Sequence, residues 1–321
     1  MKKQLLKLTC SIISISLYLP YMIKLYNFIY ERSGPRVINV LHQYVKIPRK
    51  KIDWKIKLRN GKIIKTKINP DDYKTLQFAL DYKWYSPGIA IVENEILKAI
   101  GKDCLYIDIG ANLGMRSLLA LSNGQQTYMF EPNNEVSDIN ESRCKLNNYN
   151  NYQIIRKGIS NKNGHVTFNI DSSSYKSSIN DNLETEFIKS LSIETITLDS
   201  FIKENGITTK DIFIKVDIEG HEKEMISGAI NVIESLSPTL IIEINDKSKN
   251  FNVIFNTLKD FNYQCFALFS DRWSGKLLNK LNSVNDIESI NEVTDFLFVK
   301  DNKIKESIKK YIKKTTNDKR Y

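Results

Sequence analysis

Residues 106–117, YIDIGANLGMRS, run from a strand pattern through a glycine-rich turn into a helix pattern. Tyr106, Ile107 and Ile109 supply the aromatic and β-branched side chains that strands favour, and MRSLLALS repeats apolar residues at helical spacing. Strand, tight turn and helix in that order open a βαβ unit, and open α/β sheets bind ligands beyond the carboxyl ends of their strands. The turn itself reads G-A-N-L-G, from Gly110 to Gly114. Asn112 stands where a dinucleotide loop has its second glycine, and the G-K-[ST] of a phosphate-binding loop is absent. Asp108, two residues before Gly110, would repel phosphate at close range. The loop therefore suits a ligand with no phosphate and a positive end.

Working outward, strand and helix patterns alternate. CLYIDIG is followed by a helix, QTYMFE is a strand, NEVSDINESRCKLNN a helix and YQIIRKG a third strand. HVTFNI and IETITL form an added hairpin around a polar loop. LDSFIKENG is then a helix, DIFIKVD a strand, EKEMISGAINVIES a helix, PTLIIEIN a strand and FNVIFNTLKD a helix, with YQCFAL and DFLFVK closing the series. Continuous apolar strands between amphipathic helices imply a mostly parallel sheet covered on both faces. Upstream, helical periodicity is expected near residues 75–80 and over residues 89–100. Asn60-Gly61 within DWKIKLRNGKIIKTKI signals a two-residue β-hairpin.

The second clue to the ligand is Glu131, which ends the second strand of the series 23 positions after Asp108. An acid there accepts hydrogen bonds from both hydroxyls of a ribose. S-adenosylmethionine fits the combination: it has no phosphate, and its methionine end carries an ammonium beside a sulfonium. On this reading Asp108 accepts from the ammonium, Gly110, Asn112 and Gly114 let the backbone approach, and Glu131 holds the ribose. A nucleotide-dependent oxidoreductase is disfavoured by G-A-N-L-G.

YIDIGANLG, FEPNN, FIKVDIEGHEKEMISGA and LIIEIND, in that order, resemble the FkbM-family S-adenosylmethionine-dependent methyltransferases over roughly residues 75–300. The resemblance implies a Rossmann-like class I methyltransferase fold: a seven-stranded, mostly parallel sheet, helices on both faces and a C-terminal antiparallel hairpin. It also implies O-methylation of a sugar hydroxyl in a surface glycan or of a small metabolite. An N- or protein-directed methyltransferase, or a non-catalytic methyltransferase-like binding protein, is the alternative. Asn134 departs from the proline that often follows FEPN in the family, which bears only on how the next helix starts.

IKVDIEGHE ends a central strand at the same sheet edge as the glycine loop. Methyl transfer to a hydroxyl needs alignment and removal of a proton. Asp217, Glu219 and His221 are the candidate catalytic residues, with Glu222 beside them and Asp217 also a candidate for the cofactor. Lys215 and Glu243 interrupt neighbouring apolar strands and are expected to pair, because an isolated buried charge is very costly. His42 and His165 read as surface residues, and DSSSYKSSIN as a polar loop over the site.

Composition sets the remaining bounds. Hydrophobic residues make up 41% and charged residues 26% of 321, an ordinary soluble balance. Cys10, Cys104, Cys144 and Cys265 are scattered, so no disulfide framework or metal site is expected; Cys104 and Cys265 read as core residues, and a reducing cytoplasm fits. The net charge of +10 gathers in the lead-in and in the tail KIKESIKKYIKKTTNDKRY. No RNP or KH pattern supports nucleic-acid binding. LTCSIISISLYLPYMI is shorter than the roughly 30 Å of a bilayer core and suits an amphipathic helix, packed on the protein or resting at the inner face of a membrane, with spanning the lesser option; the basic tail reads as a solvated segment or a second contact with anionic lipid. Four segments follow: 1–33 apolar and basic, 34–74 a basic lead-in with the hairpin, 75–300 the methyltransferase-like domain and 301–321 the basic tail.

Overall fold

A computed structural model of the chain describes residues 52–68, 87–171, 187–245, 250–269, 277–289 and 293–312. The apolar N-terminal segment with Cys10, His42, the helix expected near residues 75–80, the polar stretch beyond residue 171 and the tail beyond residue 312 lie outside the described residues. The chain divides into two compact units, residues 1–85 and 86–321.

In the first unit, β1 (Ile52–Lys57) and β2 (Ile63–Ile68) pair antiparallel. Trp54, Ile56, Leu58, Ile64 and Thr66 are buried, alternating with exposed Asp53, Lys55, Lys57, Lys65 and Lys67, as a period of two requires. The turn is longer than the expected two residues. Leu58 N–H donates to Lys62 O at 2.8 Å, Gly61 takes φ +85°, and Asn60 Oδ1 accepts from Lys62 N–H. A left-handed residue closing the loop is the alternative that Asn-Gly also permits.

The second unit begins with α1 (Pro87–Ile100), β3 (Leu105–Ile109), α2 (Met115–Asn123), β4 (Gln126–Phe130), α3 (Asn134–Leu146) and β5 (Tyr152–Ile155). Next come β6 (Gly158–Ile159), β7 (Gly164–Asp171), β8 (Phe187–Ile196), α4 (Leu198–Glu204), β9 (Ile212–Val216), α5 (Glu222–Ser227), α6 (Ile230–Leu236) and β10 (Thr239–Glu243). The unit closes with α7 (Asn252–Asp260), β11 (Gln264–Leu268), β12 (Leu278–Leu281), β13 (Asp295–Val299) and α8 (Asn302–Ile308).

The main sheet is eight-stranded, in the order β12-β11-β13-β10-β9-β3-β4-β5. It contains the seven strands of the expected class I methyltransferase arrangement plus β12, which extends one edge. β3, β4, β5, β9 and β10 are parallel; β13 runs antiparallel between β10 and β11. The last two apolar runs therefore pair as expected, although β12 and a 3₁₀ turn at Val284–Ser289 intervene, so the connection is not a tight hairpin. β7 and β8 pair antiparallel and join β6 in a separate three-stranded sheet.

The two faces of the main sheet differ in chemistry. Leu105, Ile107, Ile109, Ile212, Ile214, Val216, Leu240 and Ile242 share one face with Phe296 and Phe298, packed against apolar residues of α4, α5, α6 and α7. Register puts Tyr106, Asp108, Phe213, Lys215, Ile241 and Asp295 on the other. There Tyr106 Oη donates to Glu93 of α1 at 3.3 Å, Arg116 of α2 lies 3.1 Å from Glu93, and Asp108 accepts from Ser117. Cys104 and Cys265 are buried, as expected of small core residues.

EKEMISGAINVIES forms two helices where its periodicity predicts one. The break falls at Gly228–Ala229. A β-carbon on Gly228 would lie 2.1 Å from Ser160 O, and the Asp199 carboxylate accepts from Asn231 N–H and Val232 N–H, capping the second helix.

Lys215 pairs with Asp295, not with Glu243: Nζ to Oδ1 is 3.2 Å, and both residues are buried. Burial opposes the ammonium, but Asp295, Asp217 and Glu243 outweigh it and hold Lys215 well above the usual lysine range. Removing one partner of such a pair leaves an uncompensated charge. Lys215→Met is expected to destabilise the fold by about 3–5 kcal/mol in urea unfolding, and Lys215→Met/Asp295→Leu to recover most of that. Equal losses in the single and double variants would contradict the pairing.

Candidate functional site

The chain leaves β3 toward β4 and leaves β9 toward β10, so the strand order reverses between β3 and β9. Crevices at such a reversal, beyond the carboxyl ends, are where α/β sheets bind ligands. Gly110 and Asp217 face each other across it. Gly110 has φ +78°, and a β-carbon there would come within 1.9 Å of Asp217 O. Asp217 N–H donates to Ile109 O at 2.9 Å, and Gly110 N–H and Ala111 N–H both donate to Phe130 O at 3.0 Å. The loop is thus bonded to the strands on either side.

Glu131 reaches over the same crevice. Its Oε2 accepts from Asn112 N–H and its Oε1 from Asn133 N–H, each at 2.9 Å, and the residue is buried. The two backbone N–H groups thus fix both carboxylate oxygens in place. Asn133 also caps α3, accepting from Glu135 N–H at 3.0 Å, so that helix starts cleanly at Asn134 without a proline.

Asn112 (φ 46°) and Gly114 (φ +71°) give the loop its left-handed turns. From α3, the Asn140 side-chain amide donates to Asn112 O and Arg143 Nη1 donates to Leu113 O. A β-carbon on Gly114 would meet Asn140 Oδ1 at 2.7 Å, so the glycine lets the clamp close. Neither Asn140 nor Arg143 stands out in NEVSDINESRCKLNN, yet both are buried. Their signal is two polar residues at i, i+3 on the apolar side of a helix.

Asp108 does not project from the mouth of the loop. It is buried, and its Oδ2 accepts from both the N–H and the hydroxyl of Ser117 in the first turn of α2. Burial pushes it up to about 6, against the Ser117 hydrogen bond.

The turn after β9 gathers the remaining candidates. Glu219 (φ 50°) and Gly220 (φ +100°) reverse the chain, and Glu219 Oε2 accepts from Asn245 Nδ2 at 3.1 Å. Glu222 is buried, its Oε1 accepts from Gly220 N–H at 2.7 Å, and burial pushes it up to about 7. His221 is also buried, with Nε2 3.0 Å from Ser160 Oγ and Nδ1 3.6 Å from Glu224 Oε2. Burial lowers its pKa against the opposing pull of Glu224, so the imidazole is neutral at neutral pH. Asp217 and Glu243 are half-buried neighbours at the ends of β9 and β10. His165 is exposed, and no group of three or more His, Cys, Asp and Glu side chains among the described residues could hold a metal ion.

With this geometry, the model of the methyltransferase FkbM domain matches residues 108–265. The chain carries an FkbM methyltransferase domain. A curated relative is the hexuronic acid methyltransferase AglP of Haloferax volcanii, 28% identical over 151 residues. That alignment spans 47% of this chain and 59% of AglP, so the chain covers little more than half the relative's length. Among solved structures, the methyltransferase FkbM of Methylobacillus flagellatus is 19% identical, with a TM-score of 0.41, 62% of this chain covered and 44% of that one. A putative SAM-dependent methyltransferase of Streptococcus mutans is 9% identical, also with a TM-score of 0.41, over 79% and 57% of the two chains. No helix among the described residues is long and apolar enough to cross a membrane.

The residues present fit an adenosine-bearing ligand. Glu131 presents a buried carboxylate fixed by two backbone N–H groups beside the glycine loop, the arrangement a ribose diol calls for. The carboxyl edge also has a pH signature. Asp217, and burial after it, push Glu243 from an ordinary 4.5 up to about 9. A carboxyl raised on folding contributes stability that is present below its unfolded value and lost as pH rises through its folded value. Stability is therefore expected to fall between pH 7 and 9 by up to roughly one kcal/mol per pH unit, and Glu243→Gln to flatten that fall. Urea unfolding across this range checks it; a wild-type profile as flat as the variant's would count against the raised carboxyl.

Proposed function

We propose that this protein is an S-adenosylmethionine-dependent O-methyltransferase acting on a sugar hydroxyl of a glycan. The observation that carries the reading is the Glu131 carboxylate, buried and fixed by two backbone N–H groups at the mouth of the glycine loop. Glu131 holds the ribose, Gly110 and Asn112 present backbone to the nucleoside, and Asn140 and Arg143 keep the loop in shape. Asp108 acts from beneath, tying the loop to α2 through Ser117. S-adenosylmethionine supplies an activated methyl group, which leaves the protein two tasks: aligning the acceptor and removing its proton. Asp217 and Glu219, at the end of β9, are placed for the acceptor side, and His221 orients the start of α5 against Ser160. The glycan acceptor is supported by the likeness to AglP, a hexuronic acid methyltransferase, over 151 residues.

Binding is the direct test. Calorimetry with S-adenosylhomocysteine should show stoichiometric binding by the wild type. Glu131→Gln should weaken it by tenfold or more, since each hydrogen bond to a charged acceptor is worth about 1.5–3 kcal/mol. Equal affinity in a folded Glu131→Gln protein would remove Glu131 from the ribose. Mass-spectrometric detection of methylated uronic acid or neutral sugar oligosaccharides then separates glycan from other acceptors.

A further inference from the structure

Three carboxyl groups stand side by side on adjacent strands at the carboxyl edge. Val216 pairs with Ile242 and Glu243 with Asp295, so Asp217, one residue on, comes beside Glu243. Among the described residues one buried ammonium serves the row: Lys215, a step lower on the same face, paired with Asp295 at 3.2 Å. Glu243 lies between, with Asp217 beside it on one neighbouring strand and Asp295 on the other. Two carboxyl groups bond to each other only when one of them carries a proton. Asp217 raises Glu243 most, burial next, with Lys215 opposing and Asp295 adding. Among the described residues, the other charged groups near the row are Asp108 of β3, Arg116 of α2 and Glu93 of α1, with Glu219 and Glu222 beyond the end of β9 near Asp217.

A row of acids alone is not a site. This row ends on Asp217, whose backbone oxygen touches Gly110 of the loop that Glu131 holds, at the point where the strand order reverses. We infer that Asp217 and Glu243 act as one proton-accepting couple for methyl transfer, Glu243 being a catalytic residue that the motifs around IKVDIEGHE do not include. The inference rests on the methyltransferase reading above. As the acceptor oxygen takes the methyl group, its hydroxyl proton passes to the couple in its doubly ionised form, which returns it to water. At neutral pH Glu243 holds a proton, and the pair becomes a stronger base as that proton leaves.

The couple can be observed without turnover. In protein labelled with ¹³C at the glutamate carboxyl carbons, one resonance should titrate near pH 9; it should be missing in Glu243→Gln and move to lower pH in Asp217→Asn. His221→Ala should leave it in place. A couple facing the reacting centre also senses the positive sulfonium. Calorimetry should therefore show the preference for S-adenosylmethionine over neutral S-adenosylhomocysteine growing about tenfold between pH 7 and 9.5 in the wild type and staying flat in Glu243→Gln. Glu243 titrating in the ordinary carboxyl range, or a preference independent of pH in the wild type, would overturn the assignment while leaving the cofactor site intact. If neither ligand binds wild-type protein, the methyltransferase reading falls and takes the couple with it.

Discussion

The contact between Gly110 and the backbone oxygen of Asp217 is the constraint on which the site depends. It holds the loop after β3 against the end of β9, at the one place in the sheet where the chain leaves neighbouring strands in opposite directions. No side chain with a β-carbon fits there, because the space is already filled by a carbonyl that cannot move without breaking its strand. Once that contact is made, Glu131 can bridge Asn112 and Asn133, and Asn140 and Arg143 can reach the loop carbonyls. Loop, Glu131 and the carboxylates after β9 are consequently positioned by one backbone packing decision rather than by several separate ones.

The order of elements was legible because burial imposes a period on each of them. Apolar runs such as CLYIDIG and IFIKV can only be interior strands, and the alternation of strand and helix leaves little choice of architecture. The family resemblance carried the rest of the topology, including the antiparallel strand near the end. Pairings between distant segments were harder to read. Lys215 and Glu243 each signalled a buried charge, yet the partner of Lys215 is Asp295, which opens an apolar run and looks like an ordinary strand-start residue. The direction of Asp108 was equally hidden. Only the position of Ser117, one helical turn beyond the loop, explains why that carboxylate turns inward.

The two faces of the sheet solve different problems. The aliphatic face binds four helices through shape and volume, which explains why so many isoleucines and phenylalanines there are fully buried. The other face carries Glu93, Arg116, Asp108, Lys215 and Asp295 in the interior, where each charge depends on its neighbours. Substitutions on the first face act locally through packing; on the second they propagate to the carboxyl edge. The break between α5 and α6 belongs to the same division, since Gly228 lets the helices approach Ser160, the residue bonded to His221.

The position of β13 has a consequence for how the molecule is made. This strand is inserted between β10 and β11, although it follows both in the chain, and it brings the carboxylate that neutralises Lys215. During synthesis, β3, β4, β5, β9 and β10 emerge and can align while the slot beside β10 stays empty and the lysine in the middle of β9 has no counter-ion from β13. A nascent chain at that stage exposes an unpaired strand edge next to an unneutralised charge, a state prone to wrong pairing and open to chaperones. The late strand works as a keystone: until Asp295–Val299 slides into its slot, the earlier strands are arranged but not locked.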